Sequence, residues 1–282
     1  MTKVAWVTDS TAFLDEELLH HPDVYQVPMT IILDGEEFTD GIDLTTEELY
    51  ERLKTLKTPP KTSQPSIGAF QNVFEKLKED YDVIVAVLIS SKLSGTVSSC
   101  EQASQLVDIP VITIDSKILT YPLTKIIKTG IHSLESGMEL EEVKEKIEKL
   151  RDTNELYVLI GSLEQLHRSG RMSGLKFFLG SMLNVKPIIS IENGELNIKE
   201  KARSERKAKD KIVQQLRKAN EIQPLKEAFL LYGLHDTEAI AWQKELMQEF
   251  PEIEFSSCSI GATIGVHAGE NTLGISWFNG LD

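Results

Sequence analysis

Val83-Ile84-Val85-Ala86-Val87-Leu88-Ile89-Ser90-Ser91-Lys92-Leu93-Ser94-Gly95-Thr96 is the stretch on which the fold turns. Its first half is apolar without interruption, the pattern of a strand buried on both faces of a sheet. The chain then enters a hydroxyl-rich loop, and a helical pattern follows to about Leu106. Strand, polar loop and helix in that order make the repeating unit of a parallel α/β sheet. The unit recurs upstream at Val4–Val7, which runs into Thr8-Asp9-Ser10-Thr11. It recurs downstream at Val111–Ile114, which ends in Asp115-Ser116.

Outward from these units, Val27–Leu33 reads as one strand with an Asp34-Gly35 turn after it. Thr45 and Glu48 form a capping box ahead of the Leu49, Leu53 and Leu56 stripe. Thr58-Pro59-Pro60 breaks the chain, and Lys61-Thr62-Ser63-Gln64-Pro65 reads as a loop. Ser66 is placed to cap a helix whose apolar face is Ile67, Phe70, Phe74 and Leu77. Helices are expected at about Leu123–Leu134, Glu139–Arg151, Ser204–Asn220 and Glu238–Phe250. Leu156–Ile160 opens a second set of strands. Lys186–Ile191 and Leu196–Lys199 flank the hairpin signal Asn193-Gly194, and Phe229–Leu234 follows. Ile253–Ser257, Ile264–Val266 and Leu273–Phe278 read as closing strands. The switch to hairpin connections divides the chain into domains at 1–155 and 156–282. The first is expected to hold a mainly parallel sheet with flanking helices, the second a mixed sheet.

Bulk properties narrow the function. The chain has 282 residues, enough for two modest domains, with 41% hydrophobic and 26% charged residues. Its formal charge is −14, which repels nucleic-acid phosphates and anionic lipid headgroups. The longest clearly apolar run, Val83–Ile89, is far short of the roughly 20 residues of a membrane span. Cys100 and Cys258 have no metal-ligand spacing around them and read as reduced, buried thiols. Met1–Phe13 carries Asp9 and lacks the apolar core of a signal peptide, so a cytoplasmic protein is expected.

Ligands of open α/β sheets bind beyond the C-terminal ends of the strands. Three loops there carry Ser10 and Thr11; Ser90, Ser91, Ser94 and Thr96; and Ser116, and Thr62 and Ser63 add a fourth hydroxyl group. Each hydroxyl alone reads as a helix cap. Together with helix N-termini they read as a site for a carboxylate or phosphate. Neither a P-loop nor Gly-x-Gly-x-x-Gly occurs, so no nucleotide cofactor is expected. His267 lies between glycines in Gly265-Val266-His267-Ala268-Gly269, just after the short strand read at Ile264–Val266. Arg168-Ser169-Gly170-Arg171 reads as a solvated turn or an anion-contacting loop. Lys199, Lys201, Arg203, Arg206 and Lys207 form a basic run in an acidic chain. That run reads as a solvated helix face or as a docking patch for an acidic partner.

These segments, in this order, resemble the DegV family, some members of which are fatty-acid-binding subunits of bacterial fatty acid kinase. The resemblance rests on Val7-Thr8-Asp9-Ser10-Thr11-Ala12, Val27-Pro28-Met29, Asp34-Gly35 with Phe38-Thr39-Asp40, Thr62-Ser63-Gln64-Pro65-Ser66 and Ser90–Thr96. It continues through Gly170-Arg171, Leu183-Asn184-Val185-Lys186-Pro187-Ile188, Lys201-Ala202-Arg203-Ser204 and Gly265–Gly269. It implies a non-catalytic carrier with no cofactor or metal, holding a long-chain fatty acid in a tunnel between two domains. Thr62 and Ser94 are expected to hold the carboxylate beside His267, with Ser10, Ser63, Gly95, Thr96 and Arg171 around them. A kinase subunit docking at Arg203 and Lys201 would phosphorylate the carboxylate, and an acceptor enzyme would take the acyl phosphate. The sequence departs from the pattern at Lys117-Ile118-Leu119-Thr120-Tyr121-Pro122, where small residues are expected, and at Glu270. Two alternatives stand beside this reading. One is a binder of another lipid-like or phosphorylated molecule. The other is a hydrolase using Ser94, His267 and Asp9 or Asp115, although no Gly-x-Ser-x-Gly elbow is present.

Overall fold

The structure is a computed structural model that describes residues 2–171 and 185–280, so Leu183 and Asn184 of the Leu183–Ile188 segment lie outside the described residues. In chain order it begins β1 (Val4–Asp9), α1 (Glu16–Leu19), β2 (Val24–Val27), β3 (Thr30–Leu33), β4 (Glu36–Thr39) and α2 (Thr46–Leu53). Next come β5 (Lys61–Ser63), α3 (Ile67–Leu77), β6 (Val83–Leu88), α4 (Thr96–Ser104), β7 (Val111–Asp115), α5 (Thr120–Glu135) and α6 (Leu140–Arg151). The second half carries β8 (Asn154–Leu159), α7 (Leu163–Arg168), β9 (Lys186–Glu192), β10 (Glu195–Ala202), α8 (Glu205–Ile222) and β11 (Glu227–Tyr232). It closes with α9 (Thr237–Glu249), β12 (Glu254–Ser259), α10 (Gly261–Ala268) and β13 (Leu273–Phe278).

The first sheet has the order β2-β1-β6-β7 and is parallel throughout. Every residue of β1 and β6 is buried, which accounts for the uninterrupted apolar character of β6 and of Val4–Val7 in β1. Alternate side chains divide between two cores. Trp6, Val85 and Val87 pack against α5 and α6, while Val7, Ile84 and Ala86 pack against Phe70, Phe74 and Cys100 of α3 and α4. A side chain of this size gains roughly 1.5–3 kcal/mol on full burial. The caps foreseen at Thr45 and Ser66 are made: Thr45 and Glu48 bond reciprocally, and Ser66 accepts from the Ala69 N–H at 3.1 Å.

The larger sheet is mixed, with order β10-β9-β8-β13-β11-β12 and a single parallel pair, β11–β12. One face carries Tyr157, Leu159, Ile275 and Trp277 against Ile212, Leu216, Trp242 and Leu246 of α8 and α9. The other carries Leu156, Val158, Ile191 and Leu231, packed against Ile260, Ile264 and Ala268 on and just before α10. Leu93, Leu119 and Tyr121 from the first half pack against that same cluster. A small antiparallel sheet, β4-β3-β5, sits against the other side of α10 through Ile31, Leu33, Ala262 and Val266. Among the described residues no helix is long and apolar enough to cross a membrane.

Several local expectations are corrected. Val27–Leu33 is not one strand: it breaks at Pro28-Met29 into β2 and β3, which belong to different sheets. Proline lacks the N–H that a continuing ladder needs. Lys61–Ser63 is not loop but β5, with Thr62 opposite Ile31. Ile264–Val266 is not a strand but part of α10, so His267 lies in a last helical turn. Ile260, Ile264 and Ala268 face one neighbour while Ala262 and Val266 face another, each set at four-residue spacing. A helix flanked by apolar partners on two sides is apolar nearly all round, and periodicity in so short a run cannot tell it from a strand.

Candidate functional site

The two sheets leave an apolar cavity between them. It lies on the face of the mixed sheet that carries Leu156, Val158 and Leu231, under α10, and has a volume of about 80 Å³. Successive odd and even positions of β8 explain the wall: Leu156 and Val158 point into the cavity while Tyr157 and Leu159 point into the core behind. Apart from Thr263 and Thr272, whose hydroxyls bond to Asp40 and to backbone carbonyls, the polar side chains of the lining are Thr62, Ser94, Arg171 and His267.

Thr62 and His267 come from β5 and α10 and meet with 2.7 Å between Oγ1 and Nε2. The imidazole is half-buried, and its Nδ1 has no hydrogen-bond partner among the described residues. Burial, followed by the nearby charge of Arg171, pushes its pKa down to about 3, so the ring is neutral at physiological pH. Arg171 is half-buried and donates to the Ser169 carbonyl at 2.7 Å. Ser94 follows β6; its hydroxyl lies 2.8 Å from that of Thr96, which in turn donates to Met29 Sδ. The helix behind it, α4, begins at Gly95 without a side-chain cap, so its first N–H groups and positive dipole end are left for another acceptor. Gln64 lies over Gly95: a Cβ there would stand 3.0 Å from Gln64 Nε2, which is why glycine fits.

The remaining candidates do not line the cavity. Ser10 donates to Asp40 at 2.7 Å and accepts from the Met29 N–H, a structural commitment. Asp40 also accepts from Thr263 at 2.6 Å, so one buried carboxyl, its pKa raised by desolvation, ties the loop after β1 and the end of β4 to α10. Ser63 donates to the Gln64 carbonyl and Thr96 lies behind Ser94. Ser90, Ser91 and Ser116 bond to Gly194, Asp115 and Ile118 and are likewise spent on structure. Lys201 and Arg203 are exposed where β10 leads into α8, and Arg203 does not line the cavity. Glu270 lines a neighbouring polar cleft with Tyr50, Lys54 and Arg168, so its charge is kept out of the apolar cavity.

The hydrolase arrangement is not assembled. His267 pairs with Thr62 and not with Ser94, and among the described residues no carboxylate orients its Nδ1. Asp9 is held by Thr11 and the Ile89 N–H, and Asp115 by Ser91 and Lys117. A Ser nucleophile needs a base within hydrogen-bond reach and a third group behind it.

The apolar residues that make the cavity were missed from the sequence. Leu93, Leu119 and Ile160 come from three different connections and Leu166 from α7, and only the fold gathers them. The one visible signal was the alternation along β8, obscured because both faces of that strand are apolar.

Comparison with known proteins places this geometry. Over its whole length the chain is similar to DegV from Bacillus subtilis, described as a fatty acid binding protein: 31% identity, TM-score 0.90, covering 99% of this chain and 100% of that one. A DegV family protein from Thermus thermophilus described for fatty acid binding matches at 30% identity and TM-score 0.90, covering 98% and 99%. A stearic acid-binding protein from Eubacterium ventriosum matches at 28% identity and TM-score 0.89, covering 99% and 98%. The family model described as "Uncharacterised protein, DegV family" matches residues 3–280, and the chain belongs to the DegV family.

Proposed function

We propose that this protein binds a long-chain fatty acid, with its carboxylate at Ser94 and the Thr62–His267 pair and its tail in the apolar cavity. The observation that carries the reading is the contrast within one lining: among the described residues it is almost wholly apolar, and apart from Thr263 and Thr272 its polar side chains are Thr62, Ser94, His267 and Arg171. A buried carboxylate is costly unless hydrogen-bonded. With its proton on Nε2, neutral His267 donates to Thr62 and frees the Thr62 hydroxyl hydrogen for the ligand. Thr96 supports Ser94 from behind, and the uncapped start of α4 adds a dipole of the right sign. The tail contributes about 0.8 kcal/mol per buried CH₂. The fatty acid binding described for the B. subtilis and T. thermophilus proteins, and the stearic acid binding described for the E. ventriosum protein, support the same ligand class here.

In this reading residues 1–155 supply the hydroxyl loops and residues 156–282 cover the acyl chain. The protein is a cytoplasmic carrier that presents the carboxylate to a kinase subunit, which forms the acyl phosphate for an acceptor enzyme. Hydroxyl and N–H donors suit that task, because they hold the carboxylate without neutralising its attacking oxygen. Arg203 and Lys201 are the docking residues.

Native mass spectrometry of freshly purified protein, followed by denaturing extraction, tests the ligand. A bound mass matching a fatty acid is expected. A different lipid-like mass, or a clean apo mass with no uptake from mixed fatty acids, overturns the assignment.

A further inference from the structure

Ser90 is fully buried two residues past the end of β6, and each of its polar groups is engaged. Its N–H donates to the Ile118 carbonyl at 3.0 Å. Its carbonyl accepts from the Leu93 and Ser94 N–H groups at 3.0 and 3.1 Å. Its hydroxyl accepts from the Lys92 N–H at 3.2 Å and donates to the Gly194 carbonyl at 2.8 Å. The turn that delivers Ser94 to the cavity is therefore wound around this one residue, which holds the N–H groups of Lys92, Leu93 and Ser94.

Gly194 belongs to the second half of the molecule, at the tip of the β9–β10 hairpin. Connections usually run in solvent, and Asn193 and Glu195 are exposed, yet Gly194 between them is buried. A Cβ there would stand 2.6 Å from Ser90 Oγ and 3.7 Å from Lys117 Cα, so the tip is seated with no room for a side chain. Ile189, Ile191 and Leu196 of the same hairpin line the cavity, as do Ile89, Leu93 and Ser94 on either side of Ser90. The Ser90–Gly194 hydrogen bond thus joins the hairpin that walls the cavity to the turn that carries Ser94.

We propose that Ser90 is a positioning residue of the carboxylate site. With the β9–β10 tip seated on it, Ser90 holds the Ser94 hydroxyl where the carboxylate arrives, so the head-group site of the first half is complete only with the hairpin of the second half in place. Ser90 does not itself line the cavity and acts through Ser94. Small displacements matter there, because a hydrogen bond weakens steeply once it is bent. The proposal rests on the fatty-acid reading above and adds the contact that sets the geometry of Ser94.

The test is calorimetry of a long-chain fatty acid and of the alcohol of the same chain length on delipidated wild type, Ser90→Ala, Gly194→Ala, Ser94→Ala and the Ser90→Ala/Ser94→Ala double variant. Ser90→Ala is expected to weaken the acid by about tenfold and leave the alcohol as in wild type, because the apolar wall remains and only the donor to the anion is displaced. Gly194→Ala, which lifts the tip off an intact Ser90, should show the same selective loss. In the Ser94→Ala background, Ser90→Ala should lower acid affinity no further. The stoichiometry separates a smaller folded fraction from weaker binding, and Gly194→Ala carries the test if Ser90→Ala does not fold. An unchanged acid affinity, equal losses for acid and alcohol, or losses at Ser90 and Ser94 that simply add would overturn the positioning role while the ligand class stands. A selective loss in Ser90→Ala without one in Gly194→Ala would overturn the part given to the hairpin. If wild type takes up no acid, the fatty-acid reading falls and the proposal with it.

Discussion

In the proposed site Ser94 and Thr62 contribute one hydroxyl each to holding a buried carboxylate. Ser94→Ala or Thr62→Ala leaves a carboxylate oxygen short of a donor, at a cost of roughly 1–3 kcal/mol. Fatty-acid affinity measured by calorimetry should therefore fall by about tenfold or more in each variant. His267 carries a separate expectation. Its ordinary pKa of 6.5 is pushed down to about 3 in the folded protein, so between those values the unfolded chain binds a proton that the folded chain refuses. Stability must then drop as the pH falls below about 6.5, by up to about 1.4 kcal/mol per pH unit from this residue. Urea titrations of delipidated protein at pH 7.5, 6 and 5 should show a smaller loss in His267→Asn than in wild type. Equal losses would show that the imidazole carries no such penalty. At this scale the sequence was legible in part. Ser94 stood out because a helix needs one capping hydroxyl and this loop offers several. The Thr62–His267 pair spans 205 positions in the chain, and no local pattern announces it. Ser10 was a candidate beside Ser94, and only its bond to Asp40 shows it to be a structural hydroxyl rather than one facing the cavity.

α10 is the element on which the site depends, because it brings His267 to Thr62 and closes the cavity over the mixed sheet. It approaches α2 closely through Gly265: a Cβ there would lie 2.5 Å from the Tyr50 hydroxyl and 3.0 Å from Cζ. Tyr50 is buried and its hydroxyl has no partner, so the ring has nowhere better to go. Gly265→Ala should destabilise the protein by about 1–3 kcal/mol, the usual cost of overpacking. Tyr50→Phe removes the nearer atom together with an unsatisfied donor, so the double variant should recover part of the loss. Denaturant midpoints across the four proteins measure that coupling, and additive losses would mean that the two residues do not meet. The same element was the one most badly misread from the sequence. β1, β6 and β7 were legible as short apolar runs, and the amphipathic helices because one period dominated each. α10 has apolar partners on both flanks and β5 is three residues long, so neither carries a period long enough to read. Pro28 was visible, but its effect depended on a second sheet being available to take up β3.

The whole molecule carries a formal charge of −14, yet Lys199, Lys201, Arg203, Arg206 and Lys207 lie together where β10 passes into α8. An acidic surface repels an acidic partner everywhere except at such a patch, and the contrast orients encounter as well as strengthening it. Arg203 is exposed and away from the cavity, so Arg203→Ala should leave fatty-acid affinity and the urea midpoint unchanged. Kinase-coupled phosphorylation should fall by about tenfold at limiting protein, equivalent to about 1.4 kcal/mol of association. Salt supplies the second readout. Added salt screens charges beyond about 8–10 Å at physiological ionic strength, so wild-type coupling should weaken steeply as salt rises. The Arg203→Ala protein, having already lost part of that attraction, should show a shallower decline, and Arg203→Lys should restore the slope more fully than the rate. A rate and salt slope both equal to wild type in Arg203→Ala would remove this residue from the docking surface while leaving the carboxylate site untouched. A loss of fatty-acid binding in the same variant would instead show that the two ends of the molecule are coupled through the mixed sheet.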